Sequence, residues 1–295
     1  MTSDSQPHTG LRTVVLTMLA LVAFAANSIL CRMALGDAAI DAPSFTLVRL
    51  ASGAATLACI LAAVGGWRKQ VTSGSWSSAA MLFLYAAAFS FAYLSLSAGT
   101  GALILFGAVQ VTMILGAIRA GHFPSVLEWV GLVAAMAGLV YLVSPGLTSP
   151  PLVGAGLMAV AGCAWGVYSL RGRGTLDPLA DTAGNFLRSL PLAVALSVAA
   201  SFAMYRVSWR GLLLAVLSGA LASGVGYVLW YAALRGLTAT RAAIVQLSVP
   251  LLAAVGGILF LSERISFRLT MASVLVLGGI AIAVASRRRD IGPKR

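Results

Sequence analysis

The chain has 295 residues, of which 60% are hydrophobic and 9% charged, and its formal net charge is +12. Average soluble domains carry about 45–50% apolar and about 25% charged residues, so a chain this poor in charge cannot cover a soluble surface. The basic excess does not point to nucleic acid: Lys and Arg fall in the breaks between apolar runs, not on one soluble face.

Ten apolar runs are drawn, each near the ~20 residues that cross ~30 Å of hydrocarbon. They are Thr13 to Leu35, Ser44 to Val64, Ala79 to Leu96, Ala102 to Ile118 and Leu127 to Val143. Then come Leu152 to Leu170, Thr182 to Ala203, Gly211 to Leu234, Thr238 to Leu261 and Phe267 to Ser286. The first eleven residues are polar and carry no lipidation signal. The run after them is too long for a signal-peptide core, so it is read as the first span. The fold expected is an all-α integral membrane protein with ten transmembrane helices.

With the N-terminus in the cytoplasm, 12 of the 20 Lys and Arg fall on the cytoplasmic side, among them Arg12, Arg68, Lys69, Arg119, Arg171, Arg173 and Arg235. The opposite side holds 4 (Arg206, Arg210, Arg264, Arg268), and Arg32, Arg49, Arg188 and Arg241 lie within spans. The asymmetry places both termini inside. Cys31, Cys59 and Cys163 lie in apolar spans and read as small core residues, not as a disulfide framework or metal site. Neither His8 nor His122 belongs to a metal-ligand cluster.

The pattern is written twice. Sliding the segment from Ala102 to Val143 forward by 141 positions sets Gly116 on Gly257, Ser125 on Ser266 and Gly138 on Gly279. Arg32 and Arg49 are 17 apart, as are Arg171 and Arg188. The organisation expected is a tail at 1–12, a five-span unit at 13–145, a second at 152–286 and a basic tail at 287–295. Five is odd, so the second unit enters the membrane inverted, an arrangement that places a binding site near the midplane between the halves.

The turn Leu261-Ser262-Glu263-Arg264-Ile265-Ser266, the stretch Gln246-Leu247-Ser248 before Pro250, and the Gly278-Gly279 span carry a family resemblance. With the 5+5 layout, the chain resembles the drug/metabolite transporter superfamily, built of two EamA-type repeats. The first copy departs from the pattern, with His122 where the second has Glu263 and Val109 where it has Pro250. Small multidrug antiporters of that superfamily depend on a carboxylate in their first span. This chain has Asn27 instead, which disfavours cation efflux by that route.

Polar groups at membrane depth are costly and mark function. Arg49 and Arg188 sit at matching places in the two units and read either as charges that hold an anion or as snorkelling side chains. Asn27, Gln110 and Gln246 need partners in hydrocarbon, met either by substrate or by neighbouring helices. Tyr93, Trp165, Tyr168, Tyr227 and Trp230 line a pocket or form an interfacial belt. Asn185 and Arg188, three apart, share a face before Pro191. Gly162 and Gly166 form a GxxxG, and Gly219 to Gly226 give the eighth span a small surface, both read as packing. Ser125 and Glu128 fit a capping box. Glu263 either does likewise or pairs with Arg264 or Arg268.

The resemblance implies a secondary transporter of the inner membrane, an exporter of a small metabolite such as an amino acid or organic acid, and not an enzyme. No ATP-binding G-x-x-x-x-G-K stretch is present. No cofactor or metal is expected. The expected partners are a small-molecule substrate and the bilayer, with no nucleic acid, in a monomer or homodimer. A flippase for a lipid or isoprenoid-linked carrier is the alternative.

Overall fold

The computed structural model describes residues 7–66, 68, 72–119, 121, 125–146, 149–172, 175–237, 242 and 245–286. His122, Pro124, Arg241 and the basic tail at 287–295 lie outside them. Ten helical rods are described: α1 (Pro7–Gly36), α2 (Ala42–Ala63), α3 (Trp76–Ala92), α4 (Ala98–Arg119) and α5 (Val126–Val143), then α6 (Leu152–Arg171), α7 (Pro178–Met204), α8 (Trp209–Leu234), α9 (Ser248–Leu261) and α10 (Phe267–Ser286). Seven contain segments long and apolar enough to cross a membrane; Trp76–Ala92, Ser248–Leu261 and Phe267–Ala283 are apolar but shorter.

The helix starts follow local chemistry. Asp41 caps α2 by accepting from the Ser44 amide at 2.7 Å. Ser75, Asp177 and Ser208 cap α3, α7 and α8. Ser125 and Glu128 form the expected reciprocal capping box at α5, and Ser266 accepts from Leu269 N at 3.1 Å to open α10. Each cap satisfies an amide that the helix leaves without a partner. Within α8, residues Ser218–Val225 wind as a π-helix. The uninterrupted eighth span expected from sequence did not anticipate this widened turn.

The main helix interfaces come in matched sets. α5 packs on α10, α2 on α7 and α4 on α9. α3 packs on α6 as α8 packs on α1, α4 on α6 as α9 on α1, and α2 on α8 as α7 on α3. Each therefore has a counterpart when α1–α5 are exchanged with α6–α10. The outward faces are apolar stripes, such as Leu11, Val15, Met18 and Val22 on α1 and Val126, Val130, Val133 and Val140 on α5. Exposed apolar area of this kind requires a covering medium, here lipid. Cys31 is in the core, but Cys59 and Cys163 are exposed, because both fall on the outward stripe of their helix.

Close backbone contact explains several small residues. A Cβ on Gly162 would lie 2.6 Å from Leu105 O, and one on Gly219 would lie 2.1 Å from Arg49 O. At the α5–α10 crossing, a Cβ on Gly131 would meet Gly279 O at 2.3 Å, and one on Gly279 would meet Gly131 O at 2.4 Å. Gly131→Ala and Gly279→Ala should each cost about 1–3 kcal/mol through overpacking, read as a lower Tm of the detergent-solubilised protein. Gly278, whose Cβ would face open space, should accept alanine with little change in the same assay.

Candidate functional site

A small cavity of about 30 Å³ lies where α1, α3, α4, α6 and α8 converge with Gln246, just before α9. Its walls are Phe24, Asn27 and Ser28 from α1, Tyr85 and Phe89 from α3, Leu105 and Phe106 from α4, Trp165 from α6, and Ala222, Ser223 and Tyr227 from α8. Both halves of the chain therefore supply its lining. No Asp or Glu is among the lining residues.

Arg49 of α2 stands behind this wall and is only 2% exposed. Its Nη2 donates to Tyr85 Oη at 2.9 Å and its Nε to Ser223 Oγ at 3.3 Å. The guanidinium carbon is 5.0 Å from the ring centroids of both Tyr85 and Phe89. Nη1 is buried and has no hydrogen-bond partner among the described residues. Asn27 continues the network: its Nδ2 donates to Tyr85 Oη at 3.2 Å, and its Oδ1 accepts from Ser218 Oγ at 2.5 Å. Ser218 and Ser223 are the two α8 residues that reach this network. Five positions apart in an α-helix, they would point about 140° away from each other. The i→i+5 bonding of the π segment brings them toward one face.

Trp165 stacks on Tyr227 at 5.2 Å and on Tyr168 at 5.4 Å. Tyr168 in turn lines a second, polar cavity of about 190 Å³ with Ser75, Ser78, Arg171, Thr175, Asp181, Asn185 and Tyr231. The Trp165–Tyr168 stack is thus the partition between the two cavities.

Two clasps close opposite ends of the bundle. At one, the 7–8 loop pairs with the start of α2. Asp41 N donates to Arg206 O at 2.8 Å, Ser208 N to Ala39 O at 2.8 Å and Arg206 N to Asp41 Oδ2 at 2.9 Å, around an isolated Ile40–Val207 bridge. Arg210 and Asp37 add an ion pair at 3.0 Å. At the other end the segment before α3 is held by the start of α7. Gly74 N donates to Asp181 Oδ1 at 2.9 Å, Ser75 N donates to Asn185 Oδ1 at 2.8 Å, and Arg188 Nη1 donates to Ser73 O. Exchanging the halves interchanges the partners of the two clasps.

The ten residues singled out from sequence therefore separate. Asn27, Trp165, Tyr227 and Gln246 line the central cavity, and Arg49 touches its wall. Tyr168 lines the second cavity. Arg188 does not share Arg49's place: it holds the clasp through Ser73 O and also donates to Gly184 O of its own helix. Tyr93 is fully buried and bonds Ala98 O at 3.2 Å across the 3–4 turn. Gln110 is buried on α4, and Trp230 packs edge-on to Phe24 at 5.8 Å; neither lines a described cavity. Tyr85 was missed. The four-residue spacing of Tyr85, Phe89 and Tyr93, one helix face, was the available signal.

Glu263 pairs with neither Arg264 nor Arg268. It accepts from Ala98 N at 3.0 Å and lies 3.7 Å from Arg32 Nε. Arg268 instead donates to the carbonyls of Ser144 and, at 3.4 Å, Pro145. Burial raises the Glu263 carboxyl above its ordinary 4.5, although the Ala98 amide and Arg32 pull the other way. Among the described residues no group of three or more His, Cys, Asp or Glu comes together.

Comparison with known proteins gives a consistent picture. The EamA-like transporter family matches residues 152–285. An uncharacterized protein of Pseudomonas aeruginosa is 54% identical over 278 residues, covering 94% of this chain and 96% of its own length. Two uncharacterized transporters of Archaeoglobus fulgidus are 27% and 28% identical, over 65% and 68% of this chain and 70% and 72% of theirs. A solved crystal structure 20% identical in sequence superposes with a TM-score of 0.65, covering 92% of this chain and 99% of its own, which establishes the shared fold.

Tyr85→Phe keeps the ring under Arg49 but removes the oxygen that accepts from both Arg49 and Asn27. Each buried donor so stranded costs about 1–3 kcal/mol. The solubilised variant should unfold at lower temperature than the parent, and Tyr141→Phe, on an outward face, should not.

Proposed function

We propose that this chain, which belongs to the EamA-like transporter family, exports a small metabolite such as an amino acid or organic acid across the inner membrane by alternating access. It is a multi-pass membrane transporter and not an enzyme. The observation that carries the finer reading is the central cavity: polar groups at depth, walled by helices of both halves, inside interfaces that match when the halves are exchanged. That matching supports two inverted five-helix units, and the Lys and Arg asymmetry supports both termini in the cytoplasm. Groups such as Asn27 and Arg49, buried inside the bundle, favour a central path over the lipid-open groove that a flippase would want.

The cavity holds about 30 Å³, room for about two waters. Cargo of metabolite size therefore enters only when the walls part at one end. The clasps at Asp41 and Asp181 are the natural gates, because each joins one half's second helix to the loop that feeds the other half's third. In a chain with Cys31, Cys59 and Cys163 replaced by alanine, Ala222→Cys reports access to the cavity. Asp41→Ala should speed its labelling by an impermeant maleimide from outside about tenfold. Asp181→Ala should do so from the cytoplasmic side, in inside-out vesicles. Acceleration from the same side in both variants would sink the gate assignment.

Transport itself is checked with the purified protein in liposomes. Vesicles carrying it should exchange labelled amino acids or organic acids faster than empty vesicles and without ATP. Equal rates across both classes of compound would overturn the substrate reading.

A further inference from the structure

We infer that the central cavity is built for a monoanionic carboxylate with an apolar, ring-sized body, and that it discriminates against ammonium-bearing compounds, zwitterionic amino acids included. This rests on the transporter reading above and narrows it to one charge class.

Three features of the site lead there. First, Arg49 is a cation at membrane depth, 2% exposed, with Nη1 unpartnered and no ion pair to a carboxylate among the described residues. A buried charge left this way is costly unless a counter-charge arrives. Second, Tyr85 Oη already accepts from Arg49 Nη2 and from Asn27 Nδ2. A phenol has two lone pairs and one hydrogen, so with both pairs occupied its remaining capacity is donation. Arg49 Nη1 and the Tyr85 hydroxyl are then two donors in one network, matching the two oxygens of a carboxylate. Third, the rest of the wall is dominated by rings: Phe24, Phe89, Phe106, Trp165 and Tyr227. These suit an apolar or aromatic body.

The lining offers an ammonium no carboxylate, and Arg49 repels it. Burying that cation beside Arg49 is penalised twice, by desolvation and by like charge. The site therefore reads the absence of the amino group as well as the presence of the acid.

The experiment holds the ring constant and changes the charge. Phenylacetate (anion), phenylalanine (zwitterion) and phenethylamine (cation) are titrated against the purified full chain in detergent at constant ionic strength. Binding is followed by tryptophan emission, to which Trp165 in the wall contributes, and by thermal shift. Phenylacetate should bind saturably, and the other two at least about tenfold more weakly. Arg49→Gln should weaken phenylacetate at least about tenfold, with Arg49→Lys retaining part of the affinity. If Arg49→Gln does not fold, the wild-type charge series and Arg49→Lys still decide. Phenylalanine or phenethylamine binding as tightly as phenylacetate overturns the inference. So does an equal response to sodium chloride alone, phenylacetate binding unchanged in Arg49→Gln, or no saturable phenylacetate binding. Uptake of other metabolites by liposomes in any of those cases would leave the transporter reading standing and remove only the charge class.

Discussion

The structure turns on one buried guanidinium. Arg49 sits at membrane depth with no carboxylate partner among the described residues, and the elements around it are shaped to tolerate the charge. α3 presents Tyr85 and Phe89, both ring centroids 5.0 Å from the charge. α8 abandons α-helical pitch over Ser218–Val225 and thereby delivers Ser223 to Arg49 and Ser218 to Asn27. Gly219, within the same segment, lets α8 rest against the carbonyl of Arg49 itself. A charge so enclosed is stabilised by ring faces and hydroxyl dipoles but not neutralised. That leaves the neutralising role to whatever enters the cavity beside it.

The two ends of the bundle answer a different requirement. The cavity is too small for a metabolite and the bonds of both clasps are made, so cargo of that size needs the walls to part. The clasps use the same parts in exchanged order: a carboxylate at the start of the second helix of one half, and backbone amides of the loop entering the third helix of the other. Glycines allow the approach. A Cβ on Gly211 would lie 2.4 Å from Ala39 O, and one on Gly184 would lie 2.0 Å from Ser73 O. Arg188, the sequence counterpart of Arg49, belongs to this machinery and not to the cavity. The halves share a plan for the clasps, while the buried charge belongs to the first half alone.

Much of this was legible in the sequence. Periodic apolar runs, the Ser125–Glu128 box and the serine opening α10 follow from hydrophobicity and capping chemistry, which act over a few residues. Asn27, Trp165, Tyr227 and Gln246 stood out because polar and amphipathic groups inside apolar spans are uncommon. The different fates of Arg49 and Arg188 were not legible, since both have the same depth and spacing and differ only in which helix faces them. Nor was the π segment: its run of Gly, Ala and Ser reads as ordinary close packing, and only the partners on α1 and α2 show why the wider turn is useful. Glu263 was read against its neighbours Arg264 and Arg268. Its partner Arg32 is more than two hundred positions away, and no local pattern carries that pairing.

Where water can reach decides where the bundle can move. The clasps are made of hydrogen bonds near the ends of helices, where parted donors and acceptors find water again. Each such bond contributes only about 0.5–1.5 kcal/mol net. Opening one clasp of a few bonds therefore costs a few kcal/mol, within the range that separates a major from a minor conformation. The centre has no such substitute. Pulling Arg49 from Tyr85 and Ser223 in a dry interior would strand a charge and two hydroxyls together, at a cost the clasps never face. The lower-cost motion keeps the Arg49 network intact as a pivot and parts the helices at one end. A ligand that completes Arg49 would stiffen that pivot further, so the same contact that recognises the cargo would confine the movement to the gates.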